Sequence, residues 1–464
     1  MKFIRAFFCI FLYPLLSLAS TVTPAQTVDG IHSYHLRNGL TLLVKEDHRS
    51  ASVVNMVWYR VGSAYETSGI TGISHALEHM MFQGTPKYPA GKFSEIIAEN
   101  GGEENAFTSQ DFTAYFEKLD HSLLPLAFQL EADRMQNLSL KEANFVKEIQ
   151  VVREERRMRT DDDPTSLTFE RFMAAAYLST PYHNPVIGWP DDLSQLNITD
   201  LRQWYHTWYA PNNATIVVVG DVKPDQVYQL AKQYFEKIPA KPIPAFKHHT
   251  EPTSLGQRHV IVKKGAAQPL LIVGYVVPSR ATEPSSWKPY ALTVLNAVLG
   301  SGDSARLNTR LVLKQQVASE ADSNYDMVSL YEAPFLFFVT PAAKHTLGDV
   351  KTALLKEVKI LQKTLVSEKE LNKVKNQLIA EKIYARDSIF QQGMDLGALV
   401  SIGLPSSALT MDIEHLKSVT PEQVRQVAQE YLNENQMTVA ALIPQSLKPG
   451  QKKVAQTFQQ GAIR

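Results

Sequence analysis

The pentapeptide His75-Ala76-Leu77-Glu78-His79 constrains this chain more than any other stretch. From Gly72 to Phe82 the sequence reads GISHALEHMMF, with Ile73, Ala76, Leu77, Met80 and Met81 apolar at helical spacing. Gly84 and Pro86 follow as stop signals. On such a helix His75 and His79 are i,i+4 neighbours on one side, and Glu78 joins them there. A helix packed on its apolar faces buries these polar groups, and buried polar groups need partners. Two neutral imidazoles at this spacing can take two corners of a tetrahedral zinc site. A carboxylate beside them can act as general base on a metal-activated water.

A third donor must come from elsewhere in the chain. Leu140 to Arg159 (LKEANFVKEIQVVREERRMR) reads as a helix, with Ala143, Val146, Ile149, Val152 and Met158 in its apolar pattern. Glu148 and Glu155 lie seven apart, two turns along one face, whereas Glu154 is turned by about 100° from Glu155. Spacing alone leaves Glu142, Glu148, Glu154 and Glu155 all open as the donor. By pattern alone, the segment also reads as a solvated charged helix.

HALEH followed at long range by EIQVVREERRMRTDDDP resembles the insulinase/pitrilysin zinc metallopeptidases, the inverzincins, whose H-x-x-E-H reverses the commoner H-E-x-x-H. Glu155 follows His79 by 76 residues, with Glu148 seven before it. The resemblance implies that His75, His79 and Glu155 hold one Zn2+ per chain. It casts Glu78 as general base and Glu148 as a carboxylate that orients a ligand histidine. Gly101 to Tyr115 (GGEENAFTSQDFTAY) is similar to the family's G-G-x-x-N-A-x-T-x-x-D-x-T-x-Y segment. By itself it is a hairpin pattern. The resemblance implies an edge strand beside the metal, where a peptide adds as a further strand against Asn105 and Ala106. Trp208 to Thr215 (WYAPNNAT), leading into VVVGD at 217–221, also looks typical of the family.

Ser304-Ala305-Arg306-Leu307 resembles the family's S-S-R-L helix start, with Ala305 in place of the second Ser. The resemblance casts Arg306 as substrate-binding. The tyrosine that accompanies such an arginine in some members is expected near Ser319, where the chain reads VASE, and Tyr325 lies six residues later. Members of this length are half-molecules. The implied assembly is a heterodimer with a related zinc-free subunit that supplies an Arg–Tyr pair, or a homodimer. Either encloses a chamber in which peptides or unfolded segments are cleaved. The alternative is a non-catalytic structural or peptide-binding subunit of a related complex.

The balance of 47 basic against 47 acidic residues argues against nucleic-acid binding or a basic membrane-surface role. Lys2 and Arg5 precede an apolar run, Ala6 to Ala19, so residues 1–25 read as a signal peptide with cleavage near 19 or 25. That predicts a periplasmic or secreted protein with no stable membrane span once the signal is removed. Cys9, the sole cysteine, lies inside it. Residues 28–238 carry the metal motif. Residues 239–257 (PAKPIPAFKHHTEPTSLGQ) read as a linker, with His248 and His249 in solvent. Residues 258–445 repeat the plan without the motif, and 446–464 form a tail. A helix followed by a strand near 201–219 recurs at 421–442. The expected fold class is α+β: two homologous domains, each a mostly antiparallel sheet flanked by helices.

Overall fold

The computed structural model describes residues 26–446; the expected signal peptide and most of the expected tail lie outside the described residues. The first sheet comprises β1 (Gln26–Val28), β2 (Ile31–His35), β3 (Thr41–Glu46), β4 (Ser52–Tyr59), β5 (Glu103–Thr108), β6 (Thr113–Asp120) and β7 (Ala214–Gly220). Their order is β1-β2-β3-β7-β4-β6-β5. The second sheet comprises β8 (Arg258–Gly265), β9 (Leu270–Val277), β10 (Ala318–Asn324), β11 (Ala333–Pro341) and β12 (Thr438–Gln445), in the order β10-β11-β9-β12-β8. All neighbours are antiparallel except one pair in each sheet, β3 with β7 and β8 with β12. The fold is therefore α+β with two mixed, mostly antiparallel sheets.

Five strands of the first sheet correspond one for one to the five of the second. The run β3-β7-β4-β6-β5 has the same connectivity and the same single parallel pair as β8-β12-β9-β11-β10. In the first half the hairpin β1–β2 continues the sheet past β3; β8 has no such addition among the described residues. The internal repeat legible in the sequence is thus a duplication of topology, with the HALEH helix in the first copy only.

Central strands read as continuous apolar runs because both of their faces are covered. ATIVVVG in β7 is buried throughout, and so is all of β4 after Ser52. One face of the first sheet packs against Ile73, Leu77 and Met80 of helix Ile73–Met80. The other packs Met56, Trp58 and Phe116 against Leu396 of helix Ile389–Ser401, which comes from the second half. The exchange is reciprocal: Phe172 and Met173 of helix Pro164–Ala176, from the first half, cover Ile272, Leu336 and Ala440 of the second sheet. Glycines permit both approaches, since a Cβ on Gly397 would fall inside the Trp58 indole and one on Gly274 would meet the Phe172 ring.

Residues 239–257 contain no helix or strand, and His248 and His249 are exposed. The segment is nevertheless pinned. Glu251 accepts hydrogen bonds from the backbone N–H groups of Leu178, Ser179 and Thr180 at 2.6, 3.0 and 3.0 Å, an anion-accepting turn filled from within the chain. The helix start expected at Ser304-Ala305-Arg306-Leu307 leads into a π-helix over Asn308–Lys314 rather than an ordinary α-helix. No helix among the described residues is long and apolar enough to cross a membrane.

Candidate metal centre

Helix Ile73–Met80 starts from Gly72, whose φ of 86° places it in the left-handed region. A side chain there would also strike the carbonyl of Ile187 at 2.7 Å and the Cα of Gly188 at 2.8 Å, so only glycine fits. The first turn is held by Glu66. Its two carboxylate oxygens accept from the N–H groups of Gly72 (2.7 Å) and Ser74 (2.8 Å). The carboxyl thereby caps N–H groups at the helix start that have no partner within the helix. Burial pushes the Glu66 carboxyl up to about 8, against the pull of those two N–H bonds. Asp192 holds the preceding loop through the Thr71 N–H and hydroxyl.

Helix Glu142–Arg156 lies alongside, with Phe145, Ile149 and Val152 buried. Its end is fixed by Arg156, which is 2% exposed. That guanidinium donates to Glu170 at 2.7 and 3.2 Å, to the Gly188 carbonyl at 2.7 Å and to Asp161 at 3.2 Å. One buried cation therefore ties the residue next to Glu155 to the same Gly188 loop that abuts Gly72.

The result is a convergence of His75, His79 and Glu155. Glu155 Oε2 lies 3.3 Å from His79 Nε2 and 3.8 Å from His75 Nε2, and one donor atom from each residue lies within 4.8 Å of the others. Among the described residues this is the one His/Cys/Asp/Glu group so arranged. Donors bonded tetrahedrally to zinc lie about 3.3 Å apart; Glu155 stands at that distance from His79 and slightly farther from His75, and two imidazoles with a carboxylate are a donor set that suits zinc. Of the four glutamates open in the sequence, the structure brings Glu155 to the pair. Glu148 comes to the far nitrogen of His79, 3.5 Å from Nδ1, and also accepts from Gln83 Nε2 at 2.8 Å. Glu154 faces away and pairs with Arg157.

The electrostatics of the two histidines differ. Burial, with His79 adding to it, pushes His75 down to about 4, so its imidazole is neutral, the ligating form. Burial alone lowers His79, but the carboxylates of Glu155, Glu78 and Glu148 outweigh it and raise it. The hydrogen bond from His79 holds Glu155 below the usual carboxylate range. Burial raises Glu78, opposed by a hydrogen bond from the Thr108 hydroxyl.

Strand β5 forms the outer edge of the first sheet, beside helix Ile73–Met80. Ser109 N–H donates to the Phe112 carbonyl at 2.8 Å, so by the alternation of an antiparallel ladder Phe107 and Asn105 also bond inward to β6. The backbone groups of Glu104, Ala106 and Thr108 then point off the free edge. Accordingly the Ala106 N–H is capped by its neighbour, Asn105 Oδ1, at 2.8 Å. Sequence reasoning placed Asn105 and Ala106 here but missed Thr108, Glu66 and Arg156, which have no spacing signature.

Arg306 lies in the second half, 6% exposed, with a bidentate pair to Glu370 at 2.8 and 2.7 Å. Arg310 pairs with Glu357. Ser319 lies on β10, and the buried Tyr325 hydroxyl donates to the Pro278 carbonyl at 2.6 Å. The structure does not gather an Arg–Tyr pair from these residues.

The family model described as "Insulinase (Peptidase family M16)" matches residues 41–189, which include the whole metal cluster, and that described as "Peptidase M16 inactive domain" matches 195–378. The chain is 34% identical to the zinc protease PqqE of Helicobacter pylori over 443 residues, 93% of this chain and 96% of that protein. A crystal structure of a protease from Helicobacter pylori superposes with a TM-score of 0.84 at 32% identity, covering 89% of this chain and 99% of the other. The periplasmic protease PqqL of Escherichia coli shares the fold at 20% identity and a TM-score of 0.74. There the match covers 94% of this chain but 52% of that one, so PqqL is about twice as long. Two adjoining family models and a relative matched along nearly its whole length lead to one conclusion: this chain belongs to the insulinase family, peptidase family M16.

Proposed function

We propose that the chain is a zinc-dependent endopeptidase acting on peptides or unfolded segments. The observation that carries this reading is the convergence of His75, His79 and Glu155 with Glu78 beside a free strand edge. Zinc held by the three residues, one ion per chain, supplies a Lewis acid for the scissile carbonyl and makes a water acidic enough to attack. The chain's own residues do the rest. The outward N–H and C=O groups of β5, with Asn105 and Ala106, take the substrate as an added strand and set its register. Glu78 accepts a proton from the attacking water and returns it to the leaving amine. Glu148, with Gln83, orients the His79 ring through Nδ1. Val151 lies between Glu148 and Glu155 on the same helix face and is 49% exposed, an apolar wall for a substrate side chain.

Arg306 is engaged by Glu370, and no tyrosine stands near position 319. We therefore assign the oxyanion-binding Arg–Tyr pair to a second subunit, with a related zinc-free chain favoured over a second copy. The chain's half-length against PqqL supports a two-subunit chamber. The basic, apolar N-terminus supports export to the periplasm or medium.

The test measures zinc content and hydrolysis of an unstructured peptide, with and without a related zinc-free chain. Glu78→Gln is expected to keep one zinc equivalent and lose turnover by at least about 10³-fold. Glu155→Ala is expected to lose the metal. Undiminished turnover by Glu78→Gln would remove it as the base, and a zinc-loaded wild type that cleaves nothing under any condition would favour a peptide-binding subunit. A homodimer fully active by itself would end the heterodimer assignment.

A further inference from the structure

We infer that Thr108 is a positioning residue that couples occupation of the β5 edge to the orientation of the base Glu78; this rests on the peptidase reading above. Three observations meet at this residue. The Thr108 hydroxyl lies 2.5 Å from Glu78 Oε2. Thr108 is buried and Glu78 partly buried, and the hydroxyl's single proton is committed to Oε2, which leaves Oε1 without that bond. By ladder parity, the backbone N–H and C=O of Thr108 point off the same free edge that receives a peptide strand.

The end of the hairpin that carries Thr108 is rigid. Ser63 and Ala64 N–H groups donate to the carbonyls of Ser109 and Gln110 at 3.1 and 2.8 Å. Gly62 lies so close beneath the turn that a Cβ would meet the Gln110 oxygen at 2.7 Å and the Phe112 nitrogen at 2.8 Å. The turn is clamped on one side while the edge stays open on the other. The clamped turn therefore holds one residue that offers its backbone to a substrate strand and its hydroxyl to Glu78 at the same time. Edge occupancy and base geometry run through one residue, so a peptide bound in register finds the base aligned.

Thr108→Val keeps the shape and strand preference but removes the donor; Thr108→Ser keeps the donor. Both are compared with wild type for zinc content, kcat and KM on an unstructured peptide. The expected result for Thr108→Val is one zinc equivalent, KM within about threefold and kcat lower by about 10- to 100-fold, the scale of one hydrogen bond to a charged group. Thr108→Ser is expected to recover kcat to within about threefold. A purely structural role would move zinc content and KM with kcat and would not be rescued by serine. An active wild type with an equally active Thr108→Val, or with serine as impaired as valine, overturns this inference alone. A zinc-loaded wild type without cleavage overturns the peptidase reading and this inference with it.

Discussion

Arg156 shows how one side chain positions a site it does not enter. Its neighbour Glu155 reaches the two histidines, while the Arg156 guanidinium turns inward to Glu170, Asp161 and the Gly188 carbonyl. Gly188 in turn packs against the backbone of Thr71 and Gly72, where the histidine helix begins. Removing this cation leaves the Glu170 carboxylate, 4% exposed, without its two close hydrogen bonds and with only the more distant Arg171 guanidinium, 3.8 Å away, as counter-charge. Arg156→Met is therefore expected to cost about 3–5 kcal/mol of folding stability. Urea unfolding of the zinc-free protein measures that loss. Zinc affinity should fall in parallel, because the ligand helix loses its anchor to the Gly72 loop. An unfolding midpoint equal to wild type would show that the network is dispensable.

At the scale of elements, the edge strand carries a sharper consequence. In β5 the Ala106 N–H points off the sheet and contributes nothing to the ladder with β6. Proline is tolerated on an edge strand when the missing donor faces outward. Ala106→Pro should then fold with a thermal midpoint within a few degrees of wild type. It should nonetheless raise KM by about tenfold, since a docking strand loses one hydrogen bond of about 1.5 kcal/mol. An unchanged KM would place substrate on some other edge. A large drop in thermal midpoint would instead mean that Ala106 bonds inward. The neighbouring helix could be foreseen because its apolar positions recur at 3.6-residue spacing. That β5 lies at the sheet edge was foreseeable only through the family resemblance, not from local pattern, because strand order depends on pairings between segments far apart in the chain.

For the whole molecule, the two halves are interlocked. Besides the exchanged helices, the tip of the β5–β6 hairpin is latched to the second half. Asp111 accepts from the Tyr182 hydroxyl at 2.7 Å and from the Leu330 N–H at 3.0 Å. Burial pushes the Asp111 carboxyl up from 3.8 to about 6, opposed by those two donors. Below pH 3.8 the group is protonated in both folded and unfolded chains and contributes no slope. Between 3.8 and 6 the unfolded chain ionises while the folded one keeps its proton, so stability falls as pH rises through this window and levels off above it. The loss is about 3 kcal/mol. Asp111→Asn removes that slope. Unfolding free energies at pH 4 and pH 7 for the two proteins, compared as a difference, check it, and identical pH dependence would refute it.

Local patterns in the sequence determined the elements, the duplicated plan and most of the metal cluster. Periodicity marks the two helices, and the chemistry of His and Glu restricts what a polar helix face can hold. Resemblance to a known family singled out Glu155 among four glutamates. The tertiary structure alone decided three things: that Arg306 is bound to Glu370, that Thr108 meets Glu78, and that each half caps the other's sheet with a helix. The physical reason is range. Helical spacing is written in residues three and four apart, whereas Arg306 and Glu370 are 64 apart, Glu78 and Thr108 are 30 apart, and Trp58 meets Gly397 from the other half of the chain. Contacts of that kind leave no periodic trace. They exist only once the sheets are ordered and the helices exchanged.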